Sequence, residues 1–320
     1  MDQPLVNIYV PTYESKPEHL TEALECILHQ TEKRWTVLVH DDCSKKDVKA
    51  VVLPYLEDAR IQFIRSPVRL GIGWNWNACL KYGDAPFVQY LFQDDLWDKE
   101  YLARAIGPLI RDERVGFVSM DHRYQYEGEV HNKHLYEELL RTRRKIVSEG
   151  KRGGKEFLHM WIKRELHPNL IGEPSYVLFR RALMDTVGRF AEDMPQFLDE
   201  EYSLRCLLHA DVYFVMEESG SFRVHAAGAS AQNEQSGAGI YDRLRCFERL
   251  IALLPASDLK KEAVAARNRA LETMAKKFVA RMKSGKKIPG GKGAGSLKSL
   301  VLRHPILSAQ ALFKAWMEKK

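Results

Sequence analysis

The 320-residue chain carries 49 Lys and Arg against 43 Asp and Glu, with 45% apolar and 29% charged residues, a balance that fits one large or two small packed units and excludes a disordered polyelectrolyte. No apolar run approaches the ~20 residues that span a bilayer, the N-terminus shows no signal-peptide pattern, and five scattered cysteines without Cys-x-x-Cys spacing argue against a disulfide framework or zinc site and for reduced, cytosolic thiols. The net charge of +6 is divided, because residues 256–320 hold 16 Lys and Arg against four Asp and Glu while the remainder holds 33 against 39; an acidic body with a basic tail points to an anionic surface met by the tail and not to nucleic acid.

Along the chain, residues 5–10 read as a short strand broken by Pro11-Thr12-Tyr13-Glu14, and Ser15-Lys16-Pro17-Glu18 has the form of a capping box. The helix it opens places Leu20, Leu24, Ile27 and Leu28 on one face. A second strand, 35–39, ends at Asp41-Asp42, and Ser44 is expected to cap a helix carrying Val48, Val51, Val52 and Leu56. A third strand at 61–64 leads through Pro67 and Gly71-Ile72-Gly73 into a helix with Trp74, Asn75, Trp76 and Asn77. The apolar, β-prone run 87–92 reads as a buried strand and ends in Gln93-Asp94-Asp95, with Asp98 placed as the cap of the next helix.

Further on, residues 115–120 form a strand. A charged helix at 136–146 presents Arg141-Thr142-Arg143-Arg144-Lys145 as a solvated face, and the aromatic stretch 157–162 suits an acceptor pocket or plain core. After Pro255 come a helix over 260–282, a flexible basic linker at 284–296 and an amphipathic basic segment at 297–320, which reads as a membrane-surface helix or as one packed on the body.

Strands alternating with helices predict an α/β fold with a mostly parallel sheet and right-handed crossovers. Parallel strands bring residues 11–14, Asp41-Asp42 and Asp94-Asp95 to one sheet edge, where open α/β sheets place ligands. An adjacent pair of carboxylates gains nothing from the core, since burying an unpaired carboxylate is strongly unfavourable. As hard oxygen ligands, Asp94 and Asp95 suit Mg²⁺ or Mn²⁺ carrying a diphosphate. The three clusters together read as a nucleotide site.

Val10-Pro11-Thr12-Tyr13, Ala23-Leu24-x-Cys26-Ile27-Leu28-x-Gln30-Thr31, Asp41-Asp42-Cys43-Ser44, Leu70-Gly71-Ile72-Gly73-Trp74-Asn75-x-Asn77 and Gln93-Asp94-Asp95-Leu96-Trp97, in that order, resemble the family 2 glycosyltransferases of GT-A fold. The likeness runs through residues 1–120; Phe92 stands where the family often has a further aspartate. It implies that Pro11, Thr12, Tyr13 and Glu14 border the base and ribose, that Asp42 (or Asp41) accepts from the base, and that Asn77 belongs to the nucleotide site. It further implies that Asp94 contacts the ribose and Asp95 the metal. A tyrosine face for stacking and a carboxylate for a base N–H agree with these roles.

Gly172-Glu173-Pro174-Ser175, Phe179-Arg180-Arg181 and Val187-Gly188-Arg189-Phe190 continue the family pattern. Residues 198–205 correspond to the acid-rich helix start from which the family draws its base. Glu201 matches that position best, Asp199 is the alternative, and Asp199 and Glu200 also suit a helix N-terminus electrostatically. Arg223-Val224-His225 resembles the Arg-x-His whose histidine completes a metal or diphosphate site.

The resemblance thus implies an inverting glycosyltransferase that uses Mn²⁺ or Mg²⁺ and a nucleoside diphosphate sugar, a UDP-sugar first. The acceptor would be a glycan or lipid-linked glycan of cell-surface polysaccharide or glycolipid synthesis. The expected division is a nucleotide-sugar half at 1–120, an acceptor half at 121–255 and a basic helical extension at 256–320, in a cytoplasmic protein that the extension can hold peripherally at the membrane. Two rivals stand. Another metal-dependent nucleotidyl or phosphoryl enzyme is one, although a dehalogenase-type phosphatase needs Asp-x-Asp where this chain has Pro11-Thr12-Tyr13. A catalytically silent nucleotide-sugar-binding module is the other, against which intact Asp95 and Glu201 speak.

Overall fold

The period-two pattern of the first strand decides how the two faces of the sheet are covered. In β1 (Val6–Thr12), Val6, Ile8 and Val10 turn to one core and Tyr9 to the other, all at most 1% exposed. The structure is a computed structural model that describes residues 3–130, 132–236, 239, 241–285 and 296–317. In chain order follow α1 (Pro17–Leu28), β2 (Trp35–Asp41), α2 (Val48–Val52), β3 (Ile61–Arg65), α3 (Ile72–Cys79), β4 (Phe87–Tyr90), β5 (Leu96–Trp97) and α4 (Tyr101–Arg111). Then come β6 (Val115–Tyr126), α5 (Lys133–Ile146), β7 (Gly150–Arg152), α6 (Gly154–Lys163), β8 (Val177–Arg180), α7 (Arg181–Val187), α8 (Leu198–His209) and β9 (Asp211–Val224). The last helices are α9 (Ala229–Ser236), α10 (Asp242–Leu253), α11 (Asp258–Lys283), α12 (Leu297–Arg303) and α13 (Pro305–Met317).

The sheet order is β3-β2-β1-β4-β8-β6-β9-β5, with β7 on β9. The expected parallel geometry holds through β3, β2, β1 and β4. It gives way at β8, which runs antiparallel to both β4 and β6, while β6 and β9 pair in parallel. The sheet is therefore mixed, and its run of four parallel strands carries the predicted nucleotide edge. Leu20, Leu24 and Ile27 of α1 and Leu102, Ile106 and Leu109 of α4 cover one face. Trp161 of α6, Tyr202 of α8 and Phe247 of α10 pack on the other. A third cluster, including Leu271, Ala275, Leu300, Ala311 and Ala315, seats α12 and α13 on α11.

Several local expectations are corrected, each because a stronger partner claimed the side chain. Lys16 occupies the N-cap of α1 without a side-chain bond, and Ser15 donates to the Lys16 carbonyl, so the capping box does not form. Asp47, not Ser44, caps α2, because Ser44 is held by the Asp41 carboxylate 2.5 Å away. Asp98 forms a two-pronged ion pair with Arg123 at 2.9 and 3.0 Å and leaves Glu100 at the N-cap of α4. The strand expected over 87–92 ends at Tyr90. Arg143 is no solvated residue: it is 3% exposed and lies 2.6 Å from Asp121, which Arg144 also reaches at 2.7 Å. Phe157, Leu158, Trp161 and Ile162 are core, not an acceptor wall. Most of the 284–296 linker lies outside the described residues. Among the described residues no helix is long and apolar enough to cross a membrane.

Candidate active site

Where β1, β2 and β4 end, Pro11, Tyr13, Asp42, Gln93 and Asp94 line a cleft of about 350 Å³, whose farther walls come from Asn75, Glu173, Asp199, Arg223 and His225. The parallel register makes this juxtaposition unavoidable: Thr12 stands beside Asp41, and Tyr9 beside Tyr90. Tyr13 is fixed from both ends, its N–H donating to the Gln93 amide oxygen at 2.9 Å and its carbonyl accepting from Gln93 Nε2 at 3.2 Å. The Arg69 guanidinium lies 4.1 Å over the Tyr13 ring. Asp42, 2% exposed, accepts from the Leu70 and Gly71 N–H groups at 2.6 and 2.9 Å and so shapes the loop into α3. That loop needs glycine at residue 71, where φ is +91°.

Four of the predicted nucleotide residues do not reach the cleft. Thr12 is 1% exposed beneath the strand end. The Glu14 carboxylate turns away to accept from Lys45 N–H at 2.7 Å. Asp41 is fully buried on Ser44. Asn77 is spent on Phe190, donating to its carbonyl at 3.0 Å and accepting from its N–H at 2.9 Å, which ties α3 to the following lobe. Asn75, two residues earlier on α3, lines the cleft instead, its Oδ1 2.5 Å from His40 Nδ1.

The two carboxylates after β4 separate by role. Asp94 faces the cleft with His225 Nε2 2.9 Å away. Asp95 is 1% exposed, and its oxygens accept from Ser175 Oγ at 2.6 Å and Arg223 N–H at 3.1 Å. Burial, and then the charge of Asp94, push the Asp95 carboxyl well above the carboxylate range. The pair expected to hold metal as Asp95 with His225 is therefore brought together as Asp94 with His225, with Asp95 behind as their support. Among the described residues no three His, Cys, Asp or Glu side chains converge into a ready metal cage. One carboxylate and one imidazole opening on a cleft nonetheless fit a divalent ion that completes its shell with phosphate oxygens and water.

The acid-rich start of α8 is resolved by helical geometry. Asp199 lines the cleft, and its partial burial pushes its carboxyl up to about 6. Residues two apart on a helix point about 200° apart, and Glu201 accordingly looks into a separate hollow with Trp74 and Arg189. There it is 3% exposed and gripped by Arg205 at 2.8 and 2.9 Å. Glu200 is half-buried, and desolvation raises its carboxyl well above the usual range. Glu173, in the motif before β8, is pushed up to about 7 by burial and lies 3.3 Å from His122. Glu173, Asn75 and Arg223 sat in quoted motifs without a role, and their signal was positional. Arg69 had no sequence signal, because its place depends on the turn at Gly71.

The sequence pattern of "Glycosyl transferase family 2" matches residues 7–171. An uncharacterized Mycobacterium tuberculosis protein is 28% identical over 260 residues, covering 78% of this chain and 76% of its own length. The Escherichia coli UDP-Glc:alpha-D-GlcNAc-diphosphoundecaprenol beta-1,3-glucosyltransferase WfgD is 31% identical over 113 residues, which cover 35% of this chain and 44% of WfgD. Among solved structures, S. aureus TarS 1-349 in complex with UDP-GlcNAc shares the fold at TM-score 0.60 and 16% identity, covering 97% of this chain and 79% of TarS 1-349. The mannosyltransferase PcManGT from Pyrobaculum calidifontis, in complex with GDP-Man and Mn²⁺, does so at TM-score 0.60 and 19% identity over 99% of this chain and 87% of its own. The fold is of the GT-A kind, and with the family pattern matching more than half of its residues the chain belongs to glycosyl transferase family 2.

Proposed function

We propose that this glycosyltransferase moves a sugar from a nucleoside diphosphate, a UDP-sugar first, to a hydroxyl of a lipid-linked glycan in cell-surface polysaccharide synthesis, with inversion at the transferred carbon. The observation that carries the reading is that Asp199 shares one cleft with Asp94 and His225. Tyr13, backed by Arg69, offers its ring to the base, and Asp42 keeps lone pairs for a base N–H beyond its two backbone partners. Asp94 and His225 hold the divalent ion, Mn²⁺ or Mg²⁺, which when bound neutralises the departing diphosphate. Asp95 fixes Ser175 and the Arg223 backbone and thereby the position of Asp94.

Asp199 replaces Glu201 as the base. A carboxyl near 6 is ionised at neutral pH and still basic enough to take the acceptor proton as the hydroxyl attacks. Glu201 is locked by Arg205 of the same helix, which also donates to the Val187 and Arg189 carbonyls and so ties α8 to the segment before it. The acceptor class is supported by the printed activity of WfgD on a diphosphoundecaprenol substrate and by the tail. Leu302, Ile306, Phe313 and Trp316 are all at least 47% exposed on α12 and α13, beside Lys298 and Lys314, as a helix pair seated on an anionic membrane requires. The test is transfer from a panel of nucleoside diphosphate sugars with Mn²⁺. Asp199→Asn should lower kcat about 10²- to 10⁴-fold with donor affinity unchanged. Full transfer by that variant would remove Asp199 from the chemistry.

A further inference from the structure

Beside the cleft, and separated from it by Phe197, lies a further hollow of about 350 Å³, distinct from the one that holds Glu201. Its long wall is one stripe of α11, Ala270, Thr273, Met274, Lys277, Phe278 and Arg281, spaced by three and one as a single helical face is. Tyr241, Leu244 and Phe197 supply apolar floor opposite, and Arg243 closes one end. Its composition is mixed in an uncommon way, an apolar trough edged by three cations. Glu165 is the one carboxylate among the described lining residues, and it is drawn to Arg269 at 3.4 Å.

Arg243 is the informative residue. Its guanidinium stands 5.6 Å from the Phe197 ring and 3.3 Å from His167 Nδ1, yet its Nε is buried with no hydrogen-bond partner. Nε is closed to solvent, so a ligand in the hollow meets Arg243 through the rest of its guanidinium, whose charge favours an anionic acceptor. His167 reports the sign of the local field, since burial and the charges of Arg243 and Lys277 lower its proton affinity. A free anion would meet the rim cations and leave the trough wet, while a neutral lipid would fill the trough and offer the charges of Arg243 and Lys277 no anion. An anionic head on an apolar chain does both.

Building on the lipid-linked acceptor reading above, we propose that this hollow seats the diphosphate and first isoprenoid units of a polyprenyl-diphosphate-linked acceptor. The position suits it. Gln196 and Leu198, the chain neighbours of Phe197, line the catalytic cleft, so a diphosphate at Arg243 stands next to the wall that carries Asp199. On its other side α11 packs against α13 through Leu271, Ala275 and Ala311, so the helix that lines the hollow also carries the exposed apolar pair. The volume accommodates a diphosphate with one or two isoprene units and leaves the rest of the chain for the membrane.

The test uses the full-length protein with farnesyl diphosphate as probe, measured by calorimetry with Mn²⁺ and saturating UDP, so that the donor cleft is filled. Lys277→Glu reverses a rim charge and Thr273→Trp fills the trough; each should weaken farnesyl diphosphate at least about tenfold and leave UDP binding unchanged. Inorganic pyrophosphate should bind the wild type at least about tenfold more weakly than farnesyl diphosphate. The proposal is overturned if the wild type ignores farnesyl diphosphate, if both variants bind it as the wild type does, or if pyrophosphate equals it. UDP binding is read separately, so failure of the donor reading would show as wild-type protein that binds the prenyl diphosphate and not UDP.

Discussion

At the scale of the residue, the acid cluster was legible and its assignment was not. The sequence places three acids in the first turn of α8, but which one faces substrate depends on how the helix is rolled, and that is set by Leu198, Tyr202 and Leu204 packing below. Asp199 takes the cleft and carries a cost. Its carboxyl rises from an ordinary 3.8 to about 6, so the folded state holds a proton that the unfolded chain gives up, and stability falls as pH climbs from 4 to 6. Asp199→Asn should therefore raise stability at pH 7.5, by on the order of 1 kcal/mol once solvent screening of a partly exposed group is allowed for, while it slows transfer. The gain should shrink toward zero by about pH 3, below the ordinary 3.8, where the acid is protonated in both states; thermal melts at the two pH values decide it. The rate should fall with decreasing pH below 6, as the base takes its proton. The Asp-Asp pair makes a parallel case: Asp94→Asn should weaken metal-dependent UDP binding at least about tenfold, and Asp95→Asn, behind it, should do so less. A larger loss from Asp95→Asn than from Asp94→Asn, in titrations with and without Mn²⁺, would reverse the two roles.

At the scale of the element, strands and amphipathic helices were readable because their periodicity is local. Caps were not. Ser44 and Asp98 carry the right chemistry for a helix start, but Asp41 and Arg123, distant in sequence, bind them more strongly. α3 shows what a sequence does disclose. Its Gly71-Ile72-Gly73 opening was visible as a turn, and the structure supplies the reason for the second glycine: a Cβ on Gly73 would stand 2.8 Å from the Glu192 backbone. Because Asn77 pins the same helix to Phe190, the clash cannot relax by moving α3. Gly73→Ala should cost about 1–3 kcal/mol, seen as a lower Tm, and should weaken UDP binding through the displaced Asn75. An unchanged Tm would mean that the 191–192 segment yields instead.

At the scale of the whole molecule, the parallel nucleotide edge was legible from three motifs at three strand ends. The insertion of β8 between β4 and β6 was not, because an antiparallel pairing across some 90 residues leaves no local pattern. The charge division was plain from composition, and the structure adds an apolar face to the basic tail. Deleting the chain after Gly285 should leave donor hydrolysis in place and abolish binding to anionic vesicles. Binding by the full chain should decline as salt rises, since basic residues act within a Debye length of about 8 Å at physiological ionic strength. Sedimentation with phosphatidylglycerol vesicles across a salt series is the measurement, and indifference of the full chain at low salt would assign the tail to packing alone.

Arg223 gives the synthesis of this enzyme a built-in order. Its backbone N–H closes on Asp95 across 128 residues of chain, its side chain reaches the Asp94 carbonyl and Glu22, and His225 meets Asp94 only when the same strand is in place. Every donor motif of the first 120 residues leaves the ribosome well before that closure, and an N-terminal portion that folds early lacks the partner that aligns its acids. A chain that stops before β9, the last strand among the described residues, therefore lacks the contacts that fix Asp94 and Asp95.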